Sequence, residues 1–464
     1  MTFIKILTSI AIVFTIQIGA LAQNDKWFDK NGKILPQYLD PDTGLLSDEY
    51  LPDAYEFVSI EEALANPEKV IKLNLSQQGL TEIPPEIFMF SNLQVLDIWG
   101  NKIEKIPSQI SELSNLQYLA MNNNNIVEVS PEIGNLKNLL MLDLEHNQIV
   151  FLPDEVTGLE NLLDLALGEN QLDRLPKNIN HLKKLTNLTL PHNAIKKLPD
   201  NIGKLPELQS LDVSQNELQE LPASIGELQT LMIFDAHGNQ ISQLPENIGK
   251  LVQLPYLNLS DNMLKSLPKN FGKMEFIQML DLSSNMISTL PSSMGDMKMM
   301  QDLNLSVNLL TSIPKSFGNW TFVSSINLSE NNISKLPDLG NLQNLRDFNI
   351  SSNKFEQLPV WISRLTSLEF LAAASNNINE IPVDIGRLSN LTSLNLSDNS
   401  IESVPQSLQR LVLLQVLDLS KNQLSEFPPY LSNNEALEIL NLTGNSFSEK
   451  DVEELKISYP KAKF

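Results

Sequence analysis

An asparagine that recurs every 23 residues constrains the fold of this 464-residue chain more than any other feature. It ends the pattern LxxLxLxxN, and the 23-residue step holds from Asn101 to Asn331 and again from Asn353 to Asn445. A single 22-residue step joins the two series, and a copy with Gln78 in the asparagine place precedes them. Residues 67–446 therefore contain 17 copies. Such a period indicates a stacked repeat array, in which each copy buries its apolar face only against its neighbours.

Each copy predicts a short strand, a turn and a short helical segment. In LQSLDVSQN (residues 208–216) the inward residues Leu211 and Val213 alternate with an outward aspartate, which is the period of a strand. The amide of Asn216 would satisfy backbone groups in the turn, because a buried polar group is tolerated only when it is hydrogen-bonded. The following "LP" and the apolar residues three apart favour a 3₁₀ or helical segment, whose first turn accepts proline.

This unit resembles the leucine-rich-repeat family over about residues 67–446. The longer form, NxIxxLPxxIGxLxxLxxLxL, is similar to the 23-residue class of Ras-suppressor-type proteins, although the helical ends and the lack of cysteine look more like an exported bacterial member. The resemblance implies an α/β solenoid, a horseshoe with a parallel β-sheet on its concave face. It also implies short helical or 3₁₀ turns on the convex face.

The sequence outside the array predicts an export signal and two caps. Residues 1–22 have the order of a secretory signal peptide, with an apolar run and then Ala20-Leu21-Ala22. Residues 23–66 are interpreted as an N-terminal cap, with a hairpin at Asn31-Gly32 and a short helix that begins with a Ser59–Glu62 capping box. Residues 447–464 are interpreted as a C-terminal capping helix and tail. The alternative for the first segment is an uncleaved anchor, and no later segment resembles a membrane span.

Composition and motifs argue against several classes of function. The chain has no cysteine, so disulfides, thiolate metal sites and cysteine nucleophiles are excluded. No phosphate-binding loop, HExxH or GxSxG motif is present, so the sequence predicts neither an enzyme nor a cofactor. The net charge of −23 repels nucleic-acid backbones and makes nucleic acid an unfavourable partner.

Variation among the copies indicates where a partner could bind. The residue two before the asparagine is serine or threonine in ten copies, and Ala374 is a small variant. The six departures are Trp99, Asn122, Glu145, Gly168, Pro191 and His237. Large side chains on an exposed sheet are typical of protein contacts. We therefore expect the concave face of copies two to eight to carry a binding surface, made of Trp99, Tyr118, Asn122, Met141, Glu145, His146, Asp164, Glu169, His192 and His237.

Two alternatives to this surface remain open at the level of sequence. Trp99 could instead cover the N-terminal cap, and the early copies could simply have drifted from the consensus. His146, Glu169 and His192 occupy one column in three successive copies, which could form a pH-sensitive contact. A metal site there is disfavoured, because strands ~4.8 Å apart leave the two histidines roughly 10 Å apart.

The sequence thus favours a non-enzymatic, exported scaffold that binds a protein partner. Carbohydrate or cell-wall recognition is the alternative within the binding class, and it would need several exposed aromatic residues on one face. A cytosolic regulator of small GTPases is a further alternative, which requires residues 1–22 to be something other than a signal peptide. The identity of the partner does not follow from the fold.

Overall fold

The computed structural model describes residues 27–29, 33–41, 43–47, 49–427, 431, 435–460 and 463. Within these residues, 18 strands form one parallel sheet in which each strand pairs with the next copy. Pairing is in register: Leu211 of one copy lies opposite Phe234 of the next, and Phe234 lies opposite Leu257. The predicted fold class is confirmed: the sheet lines the concave face of a leucine-rich-repeat solenoid, and 3₁₀ segments lie on the convex face.

The strands are short because each copy contributes only three residues before it turns. In chain order they are β1 (Glu56–Phe57), β2 (Lys72–Asn74), β3 (Val95–Asp97), β4 (Lys105–Ile106), β5 (Tyr118–Ala120), β6 (Glu128–Val129), β7 (Met141–Asp143), β8 (Asp164–Ala166), β9 (Asn187–Thr189), β10 (Ser210–Asp212), β11 (Ile233–Asp235), β12 (Tyr256–Asn258), β13 (Met279–Asp281), β14 (Asp302–Asn304), β15 (Ser325–Asn327), β16 (Asp347–Asn349), β17 (Phe370–Ala372), β18 (Ser393–Asn395), β19 (Val416–Asp418) and β20 (Ile439–Asn441). Strands β4 and β6 pair only with each other, in a small parallel ladder outside the main sheet.

The return path of most copies is a 3₁₀ turn that starts just after the "LP" proline, as the spacing predicts. Those in the array are Pro85–Met89, Ser108–Glu112, Pro131–Asn135, Asp154–Gly158, Ile179–His181, Ile202–Lys204, Ala223–Glu227, Glu246–Lys250, Phe271–Lys273, Ser292–Asp296, Lys315–Asn319, Val360–Arg364, Val383–Arg387 and Gln406–Arg410. The 22-residue copy has only turns between Asp338 and Asn344, so its missing residue shortens the convex side. Its strand keeps the register, with Ser325 opposite Asp347.

The recurrent asparagines form a buried ladder along the array. The Asn216 amide donates to the carbonyls of Leu190, Val213 and Ser214 at 2.9–3.1 Å, and its oxygen accepts from the backbone N–H of Ile195 at 3.0 Å. Asn216 is only 8% exposed. One side chain therefore satisfies backbone groups of two successive copies, which joins them where no strand hydrogen bond can.

Residues of the predicted N-terminal cap form a second apolar cluster that packs on the beginning of the sheet. Trp27, Phe28, Leu46 and Leu51 bury against Ile71 and Val95, and Tyr118 packs at the border of this cluster. Phe28 and Ile34 form an antiparallel bridge, as expected of a hairpin, while the predicted turn at Asn31-Gly32 lies outside the described residues. The predicted signal peptide also lies outside them.

In the described part of the chain, one α-helix precedes the array in sequence and one follows it. Helix α1 (Ile60–Leu64) starts where Ser59 accepts a hydrogen bond from the backbone N–H of Glu62. The predicted reciprocal bond is replaced, because the Glu62 carboxylate accepts from the Tyr55 hydroxyl instead. Helix α2 (Glu449–Ser458) has a complete capping box between Ser448 and Asp451. None of the helices in the described residues is both long and apolar enough to cross a membrane.

For two tryptophans in the array, the sequence predicts how far the side chain is buried. Trp320 takes a leucine place in GNWTFV, which predicts a core position, and this is confirmed because it is 1% exposed. The flank LPVWISRL favours a partly exposed Trp361; this prediction is wrong, because Trp361 is buried and its ring lies 6.3 Å from that of Phe348.

The apolar residues after the last copy, Ile457, Tyr459 and Phe464, are predicted to cover the final coil. Ile457 is 83% exposed, so it does not contribute. Tyr459 is buried and packs against Phe427. Phe464 lies outside the described residues.

Candidate functional site

Four columns of side chains face outward from the concave side, and we name them by their place in LxxLxLxxN. The third and fifth positions form the first and second strand columns, exemplified by Ser210 and Asp212. The seventh position forms the serine column (Ser214), and the eighth forms the turn column (Gln215). Neighbouring members of a column belong to adjacent strands, ~4.8 Å apart.

The serine column has a structural cause. Asn or Asp in the second strand column accepts a hydrogen bond from the backbone N–H two residues later, and the serine hydroxyl donates to the same oxygen. In one copy Ser283 Oγ lies 2.6 Å from Asp281 Oδ1, and in another Ser306 Oγ lies 2.7 Å from Asn304 Oδ1. The serine consensus therefore closes a turn, and every copy that keeps serine or threonine has Asn or Asp in the second strand column.

This pairing explains several of the predicted departures without a partner. Pro191 follows Thr189 and has no backbone N–H to donate. Asn122 and Gly168 follow Ala120 and Ala166, whose side chains carry no acceptor for the turn bond. The small variant Ala374 follows Ala372 in the same way. The loss of serine in these copies accompanies the loss of the acceptor or of the backbone donor, so these positions are weaker candidates for a binding role.

Trp99, Glu145 and His237 are different, because each follows an aspartate that could still hold a serine. The aspartates Asp97, Asp143 and Asp235 accept from the backbone N–H groups of these three residues at 3.0–3.2 Å. The turn is intact, and the large side chain replaces a hydroxyl that would have fitted. His237 also directs its Nδ1 at Asp235, at 2.7 Å. All three side chains are half-buried on the concave side.

The first strand column brings three other predicted residues together. Tyr118, Met141 and Asp164 lie opposite one another in β5, β7 and β8. Tyr118 packs against the N-terminal cap, so its ring has a structural role at the end of the face. Met141 and Asp164 are half-buried and continue the column away from the cap.

The turn column holds His146, Glu169 and His192, as the sequence predicts. Their backbones are left-handed, with φ of 52°, 54° and 53°, and the side chains are exposed. His192 Nε2 lies 3.7 Å from a carboxylate oxygen of Glu169. A pair this exposed contributes little to stability, about 0–1 kcal/mol. Among the described residues, no group of three His, Asp or Glu is arranged to hold a metal ion.

The concave face is acidic and carries no fixed cation over most of its length. From the copy of Trp99 to that of Glu330, the four columns contain no lysine or arginine. The acids in them are Asp97, Asp143, Glu145, Asp164, Glu169, Asp212, Asp235, Asp261, Asp281, Asp302 and Glu330. The chain has 33 Lys and Arg residues, so the cations are placed elsewhere.

Burial raises the pKa of several of these carboxyl groups above the ordinary value. It raises the pKa of Asp97 to about 6, and the neighbouring carboxylates of Glu56 and Asp143 add to the shift. Burial also raises the pKa of Asp143, Asp164 and Asp212. Glu145 shifts in the same direction through burial and the charge of Asp143. These carboxylates are short of solvation and of positive neighbours.

Replacing Asp97 with asparagine is expected to stabilise the fold at pH 7. A raised pKa means that the folded state binds the proton more tightly than the unfolded chain, so stability is lost as pH rises from about 4 to about 6. Asparagine removes that loss and keeps the turn acceptor, and the gain in free energy of unfolding should be about 1–3 kcal/mol at pH 7.

Urea unfolding at pH 4 and pH 7 checks this expectation. The gain should vanish at pH 4, where Asp97 is protonated in the folded state. Asp418→Asn is the matched control, because the Asp418 carboxylate accepts from the Ser420 hydroxyl and the Asn441 amide and should gain nothing. Equal gains in both variants, or a gain at pH 4, would contradict the assignment.

An apolar group in the middle of the face was not predicted from the sequence. Ile233, Tyr256 and Met279 occupy the first strand column of three consecutive strands, in direct register. Met279 is 42% exposed. Departures in the serine column confined the predicted surface to copies two to eight, where only Tyr118, Met141 and Asp164 of the first strand column were included. The alternation of this column between polar and apolar copies was the signal that could have found them.

Comparisons with known proteins agree with this architecture. The family model described as "Leucine-rich repeat region" matches residues 108–194, 177–254, 237–357 and 323–454, and one described as "Leucine rich repeat" matches residues 68–126. No curated protein matches the chain.

Solved structures give the same result. A leucine-rich-repeat protein of Leptospira interrogans, LIC12759, is 32% identical, with 88% of this chain and 100% of that chain covered and a TM-score of 0.74. The Arabidopsis receptor kinase HAESA, solved with the peptide hormone IDA and the co-receptor SERK1, is 29% identical (84% and 67% covered, TM-score 0.68). InlJ of Listeria monocytogenes shares the fold at 20% identity (81% and 75% covered, TM-score 0.60). The chain belongs to the leucine-rich-repeat family.

Proposed function

We propose that this protein is an exported, non-enzymatic scaffold that binds a protein or peptide partner on its concave face. Residues 1–22 direct export, and residues 23–66 and 447–464 close the ends of the array. The carrying observation is that Trp99, Glu145 and His237 replace serine where the supporting turn is intact. A large side chain placed there adds contact surface and is not required by the fold.

Further support comes from the wider face and from similar proteins. The remaining predicted residues extend the proposed surface along copies two to eight: Asn122, Met141, His146, Asp164, Glu169 and His192, with Tyr118 at the border of the cap. HAESA was solved with a peptide hormone, and the fold is shared at a TM-score of 0.68. Leucine-rich-repeat arrays commonly mediate interactions between proteins.

The test is to restore the chain's own consensus in the triple variant Trp99→Ser, Glu145→Ser and His237→Ser. Each serine can donate to the aspartate two residues before it, so the unfolding midpoint should not fall. The wild-type protein is used to capture binding proteins from the surface fraction of the native cells, and the captured proteins are cross-linked and identified. The triple variant should no longer capture them. The matched control is Val360→Ser with Val383→Ser, two exposed convex residues. Unchanged capture by a folded triple variant would contradict the concave assignment.

Export has a separate test. We expect the amino terminus of the native protein to be Gln23, as the small residues at Ala20 and Ala22 indicate a cleavage site before it. Edman sequencing or mass spectrometry of the amino-terminal peptide measures this directly. An amino terminus at Met1 in the exported fraction would support the anchor interpretation, and a retained Met1 in the cytosol would contradict export.

A further inference from the structure

We propose that the middle of the concave face selects an extended, positively charged polypeptide segment, anchored by an apolar side chain on Ile233, Tyr256 and Met279. This inference rests on the proposed function, and it adds both the location and the chemistry of the partner. The relevant copies are those of β10 to β14, from Asp212 to Asp302. We call this region the central patch.

The apolar part of the central patch is continuous, and no other described segment of the chain covers it. Register places Tyr256 between Ile233 and Met279, with one residue on each of three adjacent strands. Ile233 and Tyr256 are half-buried, and Met279 is 42% exposed. Two inter-strand steps make the group about 10 Å long. Aromatic and methionine side chains exposed on a flat sheet are the types enriched at the centres of protein interfaces.

Carboxylates border this apolar group on both sides along the array. Asp212 lies in β10, one strand before Ile233, and Asp302 lies in β14, one strand after Met279. Asp235 and Asp281 lie two residues further along the same strands as Ile233 and Met279. Burial raises the pKa of both Asp212 and Asp302, which means that their charged forms are poorly solvated. An ammonium or guanidinium group beside them would stabilise the charged forms.

Charge complementarity identifies the occupant. The columns carry no lysine or arginine across these copies, so an acidic partner would meet repulsion without compensation and a neutral one would leave the carboxylates desolvated. Along the array, the strands of Asp212 and Asp302 are four inter-strand steps apart, which is roughly 19 Å. An extended chain rises ~3.4 Å per residue, so a segment of about six residues spans it with an apolar residue in the middle and a cation towards each end.

The experiment is a selection from displayed random 12-residue peptides, with the immobilised full chain as the target. Enriched peptides should carry net positive charge with an apolar residue between cations. A synthetic copy of the most enriched peptide is then the probe for calorimetry against variants. We expect Asp212→Asn with Asp302→Asn, and separately Ile233→Ser with Met279→Ser, to weaken binding at least tenfold. Asparagine or serine stands at these column positions in other copies, so the variants should fold.

The control removes the same charge from the convex side. Glu227→Gln with Glu246→Gln changes two exposed residues of the 3₁₀ segments and should leave the affinity within twofold, roughly the scatter expected of a remote charge. A tenfold loss in this control would show that total charge, and not the central patch, governs binding, and would overturn the inference.

The remaining outcomes separate this inference from the proposed function. If the enriched peptides are neutral or acidic, the central patch is not a cation-selective site and the inference is overturned. The same holds if the library yields no binder. Basic peptides that respond to Trp99→Ser with Glu145→Ser, two residues outside the central patch, and to neither central-patch variant leave the concave function standing and overturn the central patch. Peptides that ignore every concave variant overturn both.

Discussion

Replacing Asn239 with alanine is expected to lower the free energy of unfolding by about 3 kcal/mol or more. Its amide donates to the carbonyls of Val213, Ala236 and His237 at 3.0–3.1 Å and accepts from the N–H of Leu218 at 2.9 Å. Alanine leaves these backbone groups without that partner in a site where the side chain was 8% exposed. Urea unfolding followed by circular dichroism measures the loss.

Position in the array should modulate that loss. Asn445 stands in the last copy and is half-buried, and its amide donates to only two carbonyls, those of Leu419 and Leu442. Asn445→Ala should therefore cost less than Asn239→Ala, which interrupts the array between two stacked neighbours. Gln240→Ala, at an exposed neighbour, should be near neutral. If Asn239→Ala lowered the free energy of unfolding no more than Asn445→Ala, the asparagine ladder would not be a main source of the stability of the array.

The second large effect is expected at Trp320, whose replacement by alanine should cost about 3–5 kcal/mol. The indole stacks on Phe317 with ring centres 4.1 Å apart, and its N–H donates to the carbonyl of Met294 at 3.1 Å. Alanine would leave a cavity between two copies and a buried carbonyl without that donor. The same unfolding assay measures this loss.

Trp320→Leu is the informative comparison. Leucine occupies this place in other copies, for instance Leu228 and Leu251, so it should refill most of the cavity with a side chain that the repeat accommodates. Its cost should be well below that of alanine. If leucine and alanine cost the same, the hydrogen bond to Met294 and not the packing would dominate the role of Trp320.

The array could be predicted from the sequence because its signal is repeated. The step of 23 residues predicts the strand register, the inward leucines and the asparagine ladder together. The 22-residue copy keeps its strand in register, because the missing residue shortens only the convex side. Trp361 shows where that reasoning fails. Its flank "LPVWISRL" permits either an exposed or a buried ring, and the choice depends on Phe348 in the preceding copy.

The candidate site was harder to predict, because surface residues are not constrained by the repeat. The sequence placed Trp99, Glu145 and His237 on the concave side, yet it could not show that their neighbours Asn122, Gly168 and Pro191 depart for a local reason. That reason is a hydrogen bond between positions two residues apart, seen only once Ser283 and Asp281 are placed together. The packing of Tyr118 against the cap was equally invisible, because it joins segments distant in sequence.

Site-specific photo-cross-linking tests the central claim most directly, namely that the concave sheet is the recognition surface. The chain contains no cysteine, so Ser325→Cys gives one attachment point for a benzophenone on the concave face, one strand beyond Asp302 and outside the residues that anchor the peptide. Val360→Cys gives one on the convex face, where the side chain is 81% exposed. With the selected basic peptide as partner, we expect a covalent adduct from position 325 and none from position 360. An adduct only from position 360 would contradict it.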